Sequence, residues 1–214
     1  METVRYLGVS ISTQRMSINQ NNVETMMNWS HEKKMNDIRL HNVFEVQQFL
    51  AVWNYYWRFI LKYSEKTEPF RRLIKNDEPF EWELEQQLPF HTMVHTCTKA
   101  RVLRHLDHEE ELIIKSDASN YDFAEVSSKY DDERVLHPVA YSSKKHTPAQ
   151  CNYDIYDKKL MGFIEAFEKW TPRCDGATYT LQLLNDHKNL EYFITKNLLN
   201  QNQIQWSEHF TRFD

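Results

Sequence analysis

The chain has 214 residues, 41% of them hydrophobic, and a formal net charge of −5 at pH 7. It is long enough for one large core or two modest ones, and no apolar run approaches the ~20 residues of a membrane span. The N-terminus lacks the charged and apolar regions of a secretory signal, so we expect an intracellular protein, cytoplasmic or nuclear, with no membrane partner. The negative charge is not the basic footprint that is typical of nucleic-acid-binding domains.

Helical patterns dominate the first hundred residues after one short strand. Residues 5–12 (RYLGVSIS) are rich in β-branched and aromatic residues and predict a strand that ends at a turn around STQR. Residues 22–29, 68–75 and 81–100 then predict helices.

The longest predicted helix covers residues 43–64. Spacings of three and four residues place a set of apolar side chains on one of its faces: Val46, Phe49, Leu50, Trp53, Tyr56 and Ile60. The aromatic run WNYYW, residues 53–57, could stack on nucleic-acid bases. Its helical spacing favours packing in the core instead.

The cysteines and histidines do not indicate a disulfide framework or a zinc site. Cys97, Cys151 and Cys174 are odd in number, far apart and without a CxxC pair, so we expect small buried side chains. His91 and His95 share a helix face, but the segment HTMVH lacks the glutamate that follows the first histidine in HExxH. Zinc binding there is a minor alternative.

From residue 111 the pattern changes to strands that alternate with helices. The expected elements are strands over 111–117, 122–129 and 135–144, a helix from about 152 to 170, a fourth strand over 177–186, and helices over 187–197 and 202–213. The segment YDDER predicts a hairpin turn between the second and third strands. This order of elements predicts an α/β fold with a mixed sheet.

Several sequence signatures resemble one known family. SDAS ends the first of these strands, HPVAYSSKKHTPAQCNY covers the third strand and the approach to the helix, and NDHKNLEYF begins where the fourth strand ends. In this order they resemble the RNase H domain of gypsy-type LTR retrotransposon polyproteins. The resemblance implies an RNase H-like mixed sheet with packed helices.

The first half of the chain resembles what precedes that domain in such polyproteins. YLGVSIS is similar to the end of the reverse transcriptase palm, and FLAVWNYYWRFILKYSEKTEPFRRL with EPFEW is similar to the thumb and connecting region. The resemblance therefore implies a palm end with a mostly helical thumb and connection over residues 1–105, and an RNase H-like domain over residues 106–214. The implied partner is the remainder of a reverse transcriptase polyprotein.

The family's activity is hydrolysis of the RNA strand of an RNA:DNA hybrid. This endonuclease chemistry uses two Mg²⁺ ions ~4 Å apart, which need hard oxygen ligands. By resemblance, Asp117 at the end of the first strand and Asp186 at the end of the fourth match the family's catalytic, metal-binding aspartates. The resemblance thus implies Mg²⁺ as cofactor and an RNA:DNA hybrid as partner.

Lys159 departs from the family pattern. The family has a metal-binding glutamate followed by leucine on the helix, and the matching residues here are Lys159 and Leu160. At ~100° per residue, Asp157 lies ~200° and Glu165 ~240° round the helix from Lys159, so neither easily replaces the glutamate. One hypothesis is that the Lys159 ammonium pairs with Asp117 and Asp186 where a metal ion would otherwise relieve their repulsion.

Other departures point the same way. The chain stops at Asp214, where the family's final strand would begin, so we expect the sheet to lack its last strand and a fourth carboxylate. Glu125 lies in a strand position where the family favours a small residue, and it costs stability if it is buried without a partner. The catalytic aspartates of the polymerase would precede residue 1, so a complete polymerase is not expected.

Three functions remain open from the sequence. The chain is a metal-dependent ribonuclease on RNA:DNA hybrids, a non-catalytic module that holds hybrid or packs against a polymerase, or a decayed relic. Lys159 and the expected absence of the last strand argue against the first function and predict weak or no ribonuclease activity. Nothing in the sequence separates the second function from the third.

Overall fold

The computed structural model describes residues 3–31, 39–75, 79–98, 102–106, 110–174 and 182–184. The chain divides into two compact units, one of Met1–His105 with His137–Ser142 and one of Leu106–Leu136 with Ser143–Asp214. Within the described residues, no helix combines the length and apolar character that crossing a membrane requires.

A four-stranded antiparallel sheet opens the first unit. Its strands are, in spatial order, β1 (Val4–Tyr6), β2 (Val9–Ile11), β3 (Arg15–Ile18) and β4 (Leu103–Arg104). The single strand expected over residues 5–12 is wrong, because a two-residue turn at Leu7 and Gly8 divides it. Both turn residues have positive φ, 45° and 80°, as a tight hairpin between twisted strands requires.

Glycine is required at position 8 for two reasons: the backbone has a positive φ, and there is no room for a side chain. A Cβ there would lie 2.4 Å from Asn22 Nδ2 and 2.5 Å from Tyr56 Oη. Asn22 Nδ2 donates a hydrogen bond to Tyr56 Oη (2.7 Å), and Tyr56 Oη donates to the Gly8 carbonyl (3.4 Å). The amide of Asn22 and the phenol of Tyr56 therefore fasten the hairpin to helix α1 (Gln20–His31).

Helices make up most of the rest of this unit: α2 (Val43–Tyr55), α3 (Tyr63–Leu73) and α4 (Leu84–Thr98). Asn42 caps α2, because its side chain accepts a hydrogen bond from Glu45 N (2.9 Å). The helix expected over residues 43–64 is wrong in length. It ends at Tyr55, is followed by a 3-10 turn (Trp57–Phe59), and α3 begins only after Lys62, whose φ of 55° is left-handed.

The apolar face predicted for this stretch is confirmed, since all of its side chains are buried. The Phe49 ring centroid lies 5.5 Å from that of Trp53, 5.1 Å from Phe70 and 5.0 Å from Phe90. Tilted aromatic pairs of this kind add to the stabilisation from burial. Trp53 and Tyr56 of the aromatic run therefore serve the core, as the helical spacing favours.

The second sheet is mixed, as predicted. Its strands are β5 (Ile113–Ala118), β6 (Asp122–Tyr130), β7 (Leu136–Lys145) and β8 (Gln182–Leu184), in the spatial order β7-β6-β5-β8. β5 pairs antiparallel with β6 and parallel with β8. The helices expected over 187–197 and 202–213 lie outside the described residues.

The hairpin turn predicted at YDDER is present between β6 and β7. Asp131 Oδ1 accepts hydrogen bonds from Glu133 N (3.0 Å) and Val135 N (2.8 Å), and Asp131 N donates to the Val135 carbonyl (3.0 Å). Arg134 adopts the left-handed backbone, with φ of 62°. An aspartate that bonds to its own turn explains how the chain makes this reversal without glycine.

Helix α6 (Ile155–Cys174) packs on β5 and β6 and follows the short helix α5 (Pro148–Cys151). Thr147 and Gln150 form a capping box at the start of α5. The predicted helix over residues 152–170 is therefore confirmed as α6. Cys151, expected to be buried, is exposed, because it ends α5 on its solvent side.

The paired phenylalanines of α2 test the core of the first unit. Phe49 is 1% exposed and Phe44, five residues earlier on the same helix, is 65% exposed. We expect Phe49→Ala to lower the free energy of unfolding by ~3–5 kcal/mol, because it leaves a cavity among aromatic rings. Phe44→Ala should change it by less than about 0.5 kcal/mol. Urea unfolding followed by tryptophan fluorescence measures both, and equal effects of the two variants would contradict this assignment of the core.

Candidate functional site

Asp117 lies one residue before the end of β5. Burial alternates along this strand, with Ser116 and Ala118 buried and Lys115 and Asp117 exposed. Ser116 faces α6, because its Oγ would lie 2.9 Å from a Cβ placed on Gly162. Successive side chains of a strand point to opposite faces. Asp117 is therefore exposed near the carboxyl end of β5.

Lys159 lies in the second turn of α6 and is half-buried. It is ~60° round the helix from Gly162, which lies against Ser116, so its side chain leaves the helix on the side of the sheet. The described residues contain no ion pair between Lys159 and Asp117. Asp186 lies outside the described residues, and its pairing with Lys159 stays a prediction.

Asp157 and Glu165 lie on the same helix as Lys159. Asp157 is buried near the helix start, where its backbone N donates to Asp154 Oδ1 (2.8 Å). Glu165 is bound through both carboxylate oxygens by Lys144 Nζ, each at 2.6 Å. The Glu165 carboxylate is therefore held by the end of β7.

Strand β8 brings its carboxyl end to the same edge of the sheet as β5. The two strands run parallel, with Leu184 level with Lys115. Asp117 follows Lys115 by two residues, and in the sequence Asp186 follows Leu184 by two. Among the residues that the structure describes, no group of three or more His, Cys, Asp or Glu side chains could hold a metal ion.

The turn after β5 contains polar residues that the sequence reasoning missed. Ser119 Oγ donates to Asp122 Oδ1 (2.8 Å) and accepts from Asp122 N and Tyr121 N (both 3.1 Å). His146 N donates to the Tyr121 carbonyl (2.9 Å), and His146 Nε2 donates to the Ser119 carbonyl (2.9 Å). The turn that follows Asp117 is therefore held by side-chain hydrogen bonds as well as by the backbone hydrogen bonds between β5 and β6.

His146 and Asp122 are buried although both are polar, at 4% and 2% exposure. The His146 ring meets the Phe123 ring edge-on, with centroids 4.1 Å apart. His146 Nδ1 and Asp122 Oδ2 have no hydrogen-bond partner among the described residues. The sequence could have pointed to these residues by their positions, because Asp122 begins β6 and His146 directly follows β7. Buried strand ends normally carry apolar side chains.

Glu125 is buried in β6. This is the case for which the sequence predicted a loss of stability. It stands opposite Ser116 in the antiparallel ladder, so its side chain lies on the face that α6 covers. Burial raises the pKa of the Glu125 carboxyl above its ordinary value, and the charge of Glu165 adds to this increase. Lys169, the Trp170 indole and Lys144 oppose the increase without cancelling it.

Comparison with known proteins places this geometry in a family. The family described as the RNase H-like domain found in reverse transcriptase matches residues 107–213. The Tf2-3 and Tf2-4 transposon polyproteins of Schizosaccharomyces pombe strain 972 are each 29% identical over 187 residues. That alignment covers 87% of this chain and 13% of each polyprotein.

Solved structures share the fold along almost the whole chain. The foamy viral protease-reverse transcriptase in complex with dsDNA superposes with a TM-score of 0.75 at 19% identity, over 98% of this chain and 43% of that one. The same viral protein in complex with an RNA/DNA hybrid gives 0.70 at 20% identity, over 97% of this chain and 28% of that one.

These similarities confirm the resemblance to a reverse transcriptase fragment of the gypsy-type retrotransposon kind, with its mixed α/β fold. The family covers residues 107–213, which is half of the 214 residues. The chain therefore belongs to the family of RNase H-like domains found in reverse transcriptase.

Proposed function

We propose that the RNase H-like unit, residues 107–213, binds RNA:DNA hybrids and hydrolyses their RNA strand weakly or not at all. The observation that carries the proposal is the half-buried Lys159 on the sheet side of α6. By resemblance this is the position of a carboxylate that binds metal. A lysine ammonium there repels Mg²⁺ and offers no lone pair while it is protonated.

The chemistry of the residues present does not fit a pair of Mg²⁺ ions. Mg²⁺ prefers oxygen ligands in octahedral geometry and accepts water for several of them. Asp117 is an exposed carboxylate and supplies such a ligand, and we propose Asp186 as the second. Two carboxylates suit at most a single, weakly held ion, so we assign no hydrolytic step to a metal pair.

The proposal that Asp117 and Asp186 act together rests on strand register. Both residues follow by two positions a residue of the parallel pair formed by Lys115 and Leu184. The carboxyl ends of parallel neighbours meet at one edge of a sheet. The two aspartates are the residues that we propose at the centre of the site.

A non-catalytic role in holding hybrid, or in packing against a polymerase, is the second candidate. The observation that favours it is a core that remains well packed: α6 buries Leu160, Phe163, Ile164 and Trp170. The fold is shared with a viral reverse transcriptase in complex with an RNA/DNA hybrid. We propose that this chain binds the same kind of ligand and that its partner is the remainder of a polyprotein. We also propose that its two domains meet between residues 105 and 106.

Replacement of Lys159 tests the catalytic part of the proposal. We expect the natural chain to cut an end-labelled RNA:DNA hybrid slowly or not at all in Mg²⁺ or Mn²⁺. Lys159→Glu restores the ligand that the resemblance implies, and we expect it to raise the cleavage rate at least ~10-fold, since one metal-binding group supplies several kcal/mol to the transition state. The double variant Lys159→Glu with Asp117→Asn should lose that gain.

Lys75→Glu is the matched control, because it makes the same charge change at an exposed lysine of the first unit. It should leave cleavage unchanged. Robust cleavage by the natural chain that Asp117→Asn abolishes would contradict the proposed impairment. Absence of cleavage in Lys159→Glu would show that the lysine alone does not silence the domain.

Hybrid binding tests the second candidate. Lys144 and Lys145 are exposed at the end of β7, and Lys144 is bound by Glu165. We expect the variant with both lysines changed to alanine to bind hybrid more weakly. The slope of the logarithm of the binding constant against the logarithm of the salt concentration should become about two smaller in magnitude. Glu165→Gln should tighten binding, because it leaves Lys144 free for phosphate. Fluorescence anisotropy over a salt series measures both variants.

The decayed-relic alternative predicts a different result. If the natural chain gives no cooperative unfolding transition and no hybrid binding at moderate salt, the relic is favoured over a binding module. Binding that is unchanged in the Lys144 and Lys145 variant would place the nucleic-acid surface elsewhere.

A further inference from the structure

Four charged side chains lie together where α6 crosses the sheet. Glu125 comes from β6, Lys144 from the end of β7, and Glu165 and Lys169 from α6. Glu125 is 4% exposed, whereas the side chains of Glu165 and Lys144 are 21% and 58% exposed. One carboxylate is thus inside the interface between helix and sheet, and its charged neighbours lie nearer to water.

The hydrogen bonds in this cluster favour the outer carboxylate. Lys144 Nζ donates to both oxygens of Glu165 at 2.6 Å. Glu125 Oε2 is buried and has no hydrogen-bond partner among the described residues. An ionised carboxylate that loses water without gaining full pairing is costly, and a buried glutamate avoids this cost by binding a proton.

We propose that Glu125 is a proton-binding latch between β6 and α6, so that α6 packs most firmly on the sheet when the Glu125 carboxyl is protonated and loosens as the pH rises. The charged groups that face Glu125 are Lys169 and Glu165 from α6 and Lys144 from β7. Strand β5 presents the uncharged Ser116 at the paired position. Two lysines and one glutamate surround the latch, and one of those lysines is already bound to that glutamate.

The direction of the pH effect follows from the pKa of Glu125, which burial raises above its ordinary value of 4.5. A carboxyl with a raised pKa in the folded state binds its proton more tightly there than in the unfolded chain. The stability that it contributes is complete below the unfolded pKa. It is lost as the pH rises through the folded pKa. This trend is opposite to the acid sensitivity that salt-bridged carboxylates confer.

Thermal unfolding of the full chain between pH 5 and pH 8 tests the latch. Glu125→Gln imitates the protonated carboxyl and cannot ionise. We expect its melting temperature to equal that of the natural chain at pH 5 and to exceed it at pH 8. Glu133→Gln, at an exposed glutamate in the turn between β6 and β7, is the matched control and should follow the natural chain at both pH values.

A second variant changes the surroundings and leaves the latch in place. Glu165→Gln removes the like charge that raises the pKa of Glu125 and releases Lys144, so the loss of melting temperature from pH 5 to pH 8 should become smaller. The proposal is overturned if Glu125→Gln shows the same pH dependence as the natural chain. It is also overturned if Glu125→Gln melts below the natural chain at pH 8, because the ionised carboxylate would then be stabilising.

A measurement on the natural chain alone keeps the test independent of the variants. Hydrogen exchange of the α6 amides, corrected for the intrinsic pH dependence of exchange, should show lower protection at pH 8 than at pH 5. Equal protection at the two pH values would remove the latch. None of these measurements requires nuclease activity or hybrid binding.

Discussion

The close approach of α6 to β5 is the contact on which the RNase H-like unit depends. Gly162 permits it, because a Cβ there would lie 2.9 Å from Ser116 Oγ and 3.3 Å from Phe123 Cδ1. A side chain at this position would require the Ser116 hydroxyl, the Phe123 ring or the helix to shift. The same approach decides where Lys159 and Glu125 lie, one on the helix and one on the sheet. Lys159 and the buried carboxyl of Glu125 therefore depend on the same interface between helix and sheet.

Buried polar groups in this unit gather around that interface and the turn beside it. Glu125, Asp122 and His146 each have a buried atom without a partner among the described residues. Such atoms cost free energy that the surrounding apolar packing must offset. In the first unit, Trp53 Nε1 is a buried atom of the same kind. The RNase H-like unit thus has less stability to spare for its size than the pattern of its apolar residues suggests.

The sequence predicted the elements whose signal is periodic. The buried face of α2 and the mixed sheet follow from spacings of three or four residues and of two. The Leu7–Gly8 turn was missed because LG is an unusual pair for a tight hairpin, and its flanking residues read as one continuous strand. The end of α2 was missed because its apolar spacing continues through Ile60, although the backbone changes at Tyr56. Periodicity reports burial, and it does not report where the backbone turns.

The site was predictable only where a residue type differs from the family pattern. Lys159 stood out by its charge, whereas the contribution of His146 depends on a carbonyl contact 27 residues away along the chain. Glutamate and lysine have nearly equal helix propensity, so their exchange at position 159 leaves α6 intact. A fold that depends on dozens of apolar positions persists through such an exchange, but a metal site that depends on a few oxygen ligands does not. Membership of the family therefore establishes the fold of this chain, whereas the proposed loss of activity concerns the charge at one position.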